Sequence, residues 1–348
     1  GVKTHTIALS KADNGLLYPE STNIKVGAKR GLKVLKKEDT GVSWYPKVPA
    51  LVKFDSGKTH TVTASASALL TAIENAQSGD VLELDNGQYD VSKLVKIDKA
   101  LTIKAKNLGQ AKLTFQRSTL FEIHDGGSLK LDGLSISGEN APDAINNSVV
   151  RTKKWGMIEN YRFEMHNSKI THLDINHSFH FFVTGKGAMA DEVVLTSNTF
   201  DNVTGNVISL NTEIEDLGIY NAEYVIVKNN TFDNVDGALL KLYRGGSDES
   251  TFGPHLHMSN NTLNNVGLGK RNKEQASVYV HGVQVTNIKS NKFIKSAPVV
   301  VEHTVGEPKT EISNNTFNAT QSPSVKELRV AGPHTAVIKN NNVLNKAG

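Results

Sequence analysis

Asn229-Asn230-Thr231-Phe232 is one copy of a four-residue phrase that recurs along the second half of this 348-residue chain. The other copies are Asn167-Ser168-Lys169-Ile170, Ser197-Asn198-Thr199-Phe200, Asn260-Asn261-Thr262-Leu263, Ser290-Asn291-Lys292-Phe293, Asn314-Asn315-Thr316-Phe317 and Asn340-Asn341-Asn342-Val343. The apolar residues that close successive copies lie 30, 32, 31, 30, 24 and 26 positions apart. Such a period is typical of solenoids, in which each repeat buries its apolar face against its neighbours.

Short alternating stretches accompany the phrase, for example Tyr224–Lys228 and Gly282–Val285. Alternation places one side chain inward and the next outward, as in a β-strand. Asparagine tolerates the left-handed backbone of a tight bend. A strand, an asparagine bend and a further strand in every repeat predict an all-β fold, a right-handed parallel β-helix. The alternative is an antiparallel β-sandwich, which gives no reason for a fixed period.

The segment before the repeats has a different pattern. Residues 64–77 carry Leu69, Leu70, Ile73 and Ala76 at helical spacing, which predicts an amphipathic helix that caps the N-terminal end of the solenoid. We therefore predict a β-helix domain over residues 51–348. Residues 1–50 contain three prolines and no repeat, and we interpret them as an extended linker or N-terminal segment.

Composition excludes several functional classes. The chain has no cysteine, so disulfides and thiolate chemistry are excluded. The net charge of +4 suits a polyanionic partner, but no nucleic-acid-binding motif or basic block is present. No apolar run is long enough to cross a membrane. No signal peptide is present and the chain begins at Gly1, so we expect a processed piece of a secreted or periplasmic protein.

Five longer stretches are more specific than the repeat. They are SGDVLELDNGQYD (Ser78–Asp90), DNGLLYPE (Asp13–Glu20), TGVSWYPK (Thr40–Lys47), YRGGSDESTFGP (Tyr243–Pro254) and VEHTVGEP (Val301–Pro308). The first resembles the opening coil of pectate-lyase-like β-helices. Together the others resemble the second, C-terminal β-helix of two-domain alginate lyases in polysaccharide lyase family six, the chondroitinase-B-like family.

The resemblance implies a parallel β-helix, an acidic polysaccharide substrate (alginate) and a preceding catalytic β-helix domain as partner. The catalytic half of that family is implied to use a lysine base, an arginine about one coil later and a calcium ion that neutralises the uronate carboxylate. This chain has no Arg-His-Gly-type strand ending and no lysine and arginine at matching positions of adjacent coils. The resemblance therefore carries over fold and substrate class, with calcium by resemblance only, and no catalytic pair.

Cleavage of a uronate polymer by β-elimination requires a group that neutralises the carboxylate, a base that removes the C5 proton and an acid for the leaving oxygen. Aligning Ile208, Leu240 and Val278 as inward positions of adjacent coils predicts outward columns. The first column holds Ser209, Lys241 and Tyr279, with His180 one coil earlier; the second holds Asn211, Tyr243, His281 and Glu302; the third holds Arg244 and His303.

These columns supply candidate functional residues. Lys241 is the candidate base, Tyr243 or Tyr279 the candidate acid, and Arg244 the candidate carboxylate ligand, with His281 beside them. His180, Tyr279, Glu302 and His303 are candidate substrate-binding residues. The other interpretation is that polar outward ladders belong to any solvated β-helix face.

A set of metal ligands cannot be named as specifically as these catalytic and substrate-binding candidates. Asp248 and Glu249 in a projecting loop have the oxygen ligands that calcium prefers, but they equally suit ion pairs with Lys270 and Arg271. The sequence leaves three functions open: the accessory half of an alginate lyase, which we favour, a lyase that uses the Lys241 face itself, and a non-catalytic polysaccharide-binding β-helix.

Overall fold

The computed structural model describes residues 9–11, 17–19, 23–25, 31–33, 51–213, 219–246, 253–329 and 332–346. The chain divides into two compact units, Gly1–Leu51 and Val52–Gly348. In the described part of the first unit, Leu9–Lys11 pairs with Leu17–Pro19 and Asn23–Lys25 pairs with Gly31–Lys33, both antiparallel. The predicted linker over residues 1–50 otherwise lies outside the described residues, as do its motif residues Asp13 and Trp44.

The second unit is a parallel β-helix, as predicted. Within the described residues its strands form three parallel sheets of eleven, ten and nine strands, which the chain visits in turn. The first sheet contains Thr59–Val62, Val81–Leu84, Ala100–Ala105, Ser128–Asp132, Tyr161–His166, Ala190–Thr196, Ala222–Lys228, His255–Ser259, Val285–Lys289, Lys309–Ser313 and Thr335–Lys339. The second contains Gly87–Val91, Ala111–Phe115, Ser135–Ser137, Lys169–Leu173, Thr199–Val203, Thr231–Val235, Thr262–Val266, Lys292–Ile294, Thr316–Asn318 and Asn342–Leu344. The third contains Val95–Ile97, Thr119–Ile123, Ser148–Thr152, His180–Val183, Ile208–Leu210, Leu240–Tyr243, Val278–His281, Val299–His303 and Ser324–Glu327.

The repeated phrase forms the corner between the first and second sheets. The asparagine at its second position donates from Nδ2 to the Oδ1 of its equivalent in the next coil, at 2.9–3.0 Å along the column Asn198, Asn230, Asn261, Asn291, Asn315 and Asn341, of which all but the half-buried Asn341 are buried. The left-handed residue is the one before it, for example Asn229 with φ of 58°. Position one thus provides the bend, and position two joins the coils by hydrogen bonds.

The closing apolar residue of the phrase points into the core. Phe200 stacks on Phe232 with ring centroids 5.1 Å apart, and Phe293 stacks on Phe317 at 4.9 Å. All four rings are fully buried. Since each coil exposes this face until its neighbour covers it, burial of these rings favours the stacked array over any single coil.

The predicted capping helix is present but shorter than residues 64–77. Helix α1 spans Ala68–Asn75, and its Leu69 and Ile73 side chains join the core. The chain then leaves helical geometry at Ala76. The Asp80 carboxylate fixes the following turn, since it accepts hydrogen bonds from the Gln77 N–H at 2.9 Å and the Lys58 N–H at 2.8 Å. These bonds lower the pKa of Asp80 to about 2, against the opposing effect of burial.

Candidate functional site

Strand register in the third sheet creates two of the predicted outward columns. Lys241 pairs with Tyr279, and Tyr243 pairs with His281, which in turn pairs with Glu302. Ser209 precedes Lys241 in the same column, as predicted. Their neighbours along each strand, such as Leu242 and Val280, are fully buried. Period-two alternation therefore brings these side chains together on one face.

Glu302 is the centre of a polar cluster on this face. Its Oε2 accepts from the Tyr279 hydroxyl at 2.7 Å and lies 2.8 Å from the His281 Nδ1. The Tyr243 ring stacks on the His281 imidazole with centroids 4.2 Å apart. Burial opposes the charged form of Glu302, but the hydrogen bonds from His281 and Tyr279 outweigh it and lower the pKa of this carboxyl. Burial and the same carboxylate raise the pKa of the Tyr279 phenol.

The candidate base Lys241 is nearly buried, with 8% of its surface exposed, and its ammonium group forms a short ion pair with Glu274. Glu274 was not predicted from the sequence. It lies in the turn between Thr262–Val266 and Val278–His281, where strand periodicity gives no information about side-chain direction. Because its ammonium group is already paired with a carboxylate of the same chain, Lys241 is not available as a general base.

His180 does not occupy the predicted place in the Lys241 column, because Val183 is the residue that pairs with Ser209. The prediction was wrong by three positions along the strand His180–Val183. His180 nevertheless lies near Lys241. Burial, and then the positive charge of Lys241, lower the pKa of His180 to about 4. Its Nδ1 accepts the Asn206 N–H at 2.9 Å, so the proton of the neutral ring is on Nε2.

The third predicted column is also wrong, because Arg244 and His303 are both buried. His303 continues the inward series of Val299 and Val301 and contacts the Thr310 hydroxyl through Nε2 at 2.8 Å. Arg244 follows the inward Leu242, and its guanidinium lies 6.0 Å from the Tyr220 ring centroid. Strand alternation thus places His303 inward, whereas Arg244 lies just beyond the end of strand Leu240–Tyr243 and bridges to Tyr220.

A groove of about 770 Å³ runs over the turns that join the second sheet to the third. Its wall is formed in succession by residues 145–146, 177–180, 204–206, 236–241 and 269–274. Lys241, Glu274 and His180 line it together with the exposed Lys270, Arg271 and Lys273. The Tyr279, His281 and Glu302 cluster does not line this groove.

The described residues contain no ligand set for the calcium ion that the family resemblance implied. Within the described residues, no group of three or more histidine, aspartate or glutamate side chains is arranged to hold a metal. Asp248 and Glu249 lie outside the described residues. In the same part of the chain, no helix has the length and apolar character needed to cross a bilayer.

Comparison with known proteins gives one consistent result. No protein-family model and no curated protein matches the chain. Among solved structures, the PL6 family alginate lyase AlyGC and a mutant of it each match with 46% sequence identity and a TM-score of 0.84. The match covers 98% of this chain and 47% of the AlyGC chain. The chain is therefore similar in sequence and fold, over nearly its whole length, to about half of a PL6 family alginate lyase.

Proposed function

We propose that this chain is the accessory β-helix of an alginate lyase that cleaves by β-elimination. The observation that carries the proposal is the 46% identity to AlyGC over nearly the whole of this chain. A separate catalytic β-helix domain would supply the chemistry, and calcium, where needed, would be bound there. Because alginate is a large polymer, we expect the protein to meet it outside the cytoplasm.

The state of the candidate catalytic groups supports an accessory role. The ammonium group of Lys241 is paired with Glu274, and Tyr279 and His281 both contact Glu302. Arg244, the expected carboxylate ligand, is buried beside Tyr220 rather than exposed on the same face. A base, an acid and a carboxylate-neutralising group thus do not converge on one open position, as elimination requires.

A second candidate function rests on the Glu302 cluster. Glu302, His281 and Tyr279 are joined by hydrogen bonds of 2.7–2.8 Å, and such a relay suits proton transfer. In a lyase that used this face, the neutral imidazole would take the C5 proton and a tyrosine hydroxyl would protonate the leaving oxygen. Under this alternative the chain would cleave alginate without a further domain.

One assay separates the two functions. Unsaturated uronate product, followed by its ultraviolet absorbance, is measured for the full chain alone and for the chain joined in one polypeptide to the other half of a PL6 alginate lyase. We expect product only from the joined protein. Product from the chain alone that is lost in Glu302→Gln and His281→Ala, with circular dichroism unchanged, would instead establish the second function.

A further inference from the structure

The turn over residues 267–277 carries three exposed cations at one end of the groove. Lys270, Arg271 and Lys273 are exposed, and within the described residues no carboxylate forms an ion pair with any of them. The other charged lining groups are Lys241, which is paired with Glu274, and Asp236. Four cations against two anions leave the groove with a net charge of +2.

The remaining wall offers hydrogen-bond donors rather than further charge. Asn146 and His177 are exposed in the first two coils of the groove, toward the end away from the cationic turn. His180 forms part of the wall between them, with its Nδ1 occupied by the Asn206 N–H and its Nε2 proton without a partner in the described structure. Amide and imidazole donors suit the hydroxyl groups of a sugar, and arginine suits its carboxylate.

The shape of the groove favours a linear chain over a compact ligand. Five successive coils contribute to its wall, so it runs along the solenoid axis for roughly 19 Å, as four steps of about 4.8 Å each. A uronate polymer presents one carboxylate and several hydroxyls per sugar along such a path. Nucleic acid is less well matched, since no phenylalanine, tyrosine or tryptophan lines the groove for base stacking.

We propose that this groove is a non-catalytic binding site for a uronate oligosaccharide, with Lys270, Arg271 and Lys273 as its carboxylate-binding residues. The inference rests on the proposed function for the identity of the sugar. It adds a polymer-binding site on this chain itself. Such a site raises the local concentration of polymer by linking two binding events.

Calorimetric titration of the full chain with oligomannuronate and oligoguluronate tests the proposal. The variant Lys270→Gln/Arg271→Gln/Lys273→Gln should bind about tenfold more weakly than wild type, since each exposed charge contact contributes modestly. The matched control is Lys112→Gln/Lys169→Gln/Lys292→Gln. It removes three exposed lysines at the starts of second-sheet strands and changes the net charge equally. The control should bind within about twofold of wild type.

Equal losses in both triple variants would overturn the proposal, since they would indicate a non-specific charge effect. Wild-type binding by the groove variant, or equal binding of an uncharged oligomannose, would overturn it too. Thermal unfolding checks that both variants are folded. The readout is binding by this chain alone, whereas the proposed function is tested by product formation. Binding through the groove without any lyase activity in the joined protein would therefore support this inference and contradict only the lyase assignment.

Discussion

At the scale of single residues, the buried asparagine column is the feature on which the fold depends most. Each side chain satisfies backbone groups of the preceding coil. The Asn261 Nδ2 donates to the Val227 carbonyl, and its Oδ1 accepts from the Asn230 N–H. Buried polar groups are costly when they lose a partner, so one asparagine is coupled to two neighbouring coils.

Replacing Asn261 with alanine should lower the free energy of unfolding by about 3 kcal/mol or more, since several buried groups lose their partners at once. The control is Asn264→Ala, which removes a half-buried hydrogen bond to Asp233 in the same coil. It should cost about 1 kcal/mol or less. Chemical denaturation of both variants measures the difference, and equal costs would contradict a special role for the buried column.

His180 predicts a pH dependence of stability. Its pKa is about 4 when folded, below its ordinary value of 6.5, because the ring is buried beside Lys241. Between these values the unfolded chain binds a proton that the folded chain does not, so the free energy of unfolding falls as pH falls. The loss is up to about 3 kcal/mol across this window. His180→Gln should flatten this part of the curve.

The control for that measurement is His177→Gln, which changes an exposed histidine in the same groove. Its stability should follow the wild-type pH curve between pH 6.5 and 4, the window set by His180. A wild-type slope in the His180→Gln variant would show that burial of this ring is not the cause.

Side-chain directions on the third sheet could be predicted only where the residues of a strand alternate strictly. The Tyr243, His281 and Glu302 column was predicted because all three lie on regular strands. His303 was misplaced, although counting from Val301 would have put it inward. Glu274 could not be predicted, since it lies on a turn whose side-chain directions depend on contacts between coils.

At the scale of elements, helix α1 covers the first coil of the solenoid. It packs beside strands Thr59–Val62 and Gly87–Val91. Leu69 is 2% exposed, so its side chain replaces the coil that would otherwise stack there. The sequence predicted this helix from its apolar spacing, and predicted its ends less well because Ser67 at the N-cap makes no side-chain hydrogen bond and the apolar spacing continues to Ala76, beyond the last helical residue.

Leu69→Ala should therefore reduce the free energy of unfolding by about 2–5 kcal/mol, as for other large-to-small core changes. The exposed Thr71→Ala variant tests helix propensity alone and should be neutral or slightly stabilising. Thermal unfolding followed by circular dichroism compares the two. A neutral Leu69→Ala variant would mean that the solenoid does not need its cap.

At the scale of the whole molecule, this chain spans about half the length of the alginate lyase it matches. The described β-helix has a continuous core and a cationic groove, and its candidate acid and base groups are held by the carboxylates of Glu274 and Glu302. The repeat period was enough to predict the solenoid, and the family resemblance implied an acidic polysaccharide partner. Neither could show whether this domain catalyses the reaction or supports a catalytic domain, because that depends on which charged groups pair in the folded state.

The most direct measurement is the ultraviolet absorbance of alginate incubated with the folded chain alone. The account predicts a flat trace, the same as that of the Glu302→Gln variant, because within the described residues Lys241 is paired with Glu274 and Arg244 is buried beside Tyr220. A sustained rise that disappears in Glu302→Gln would contradict the account and identify this β-helix as a lyase in its own right.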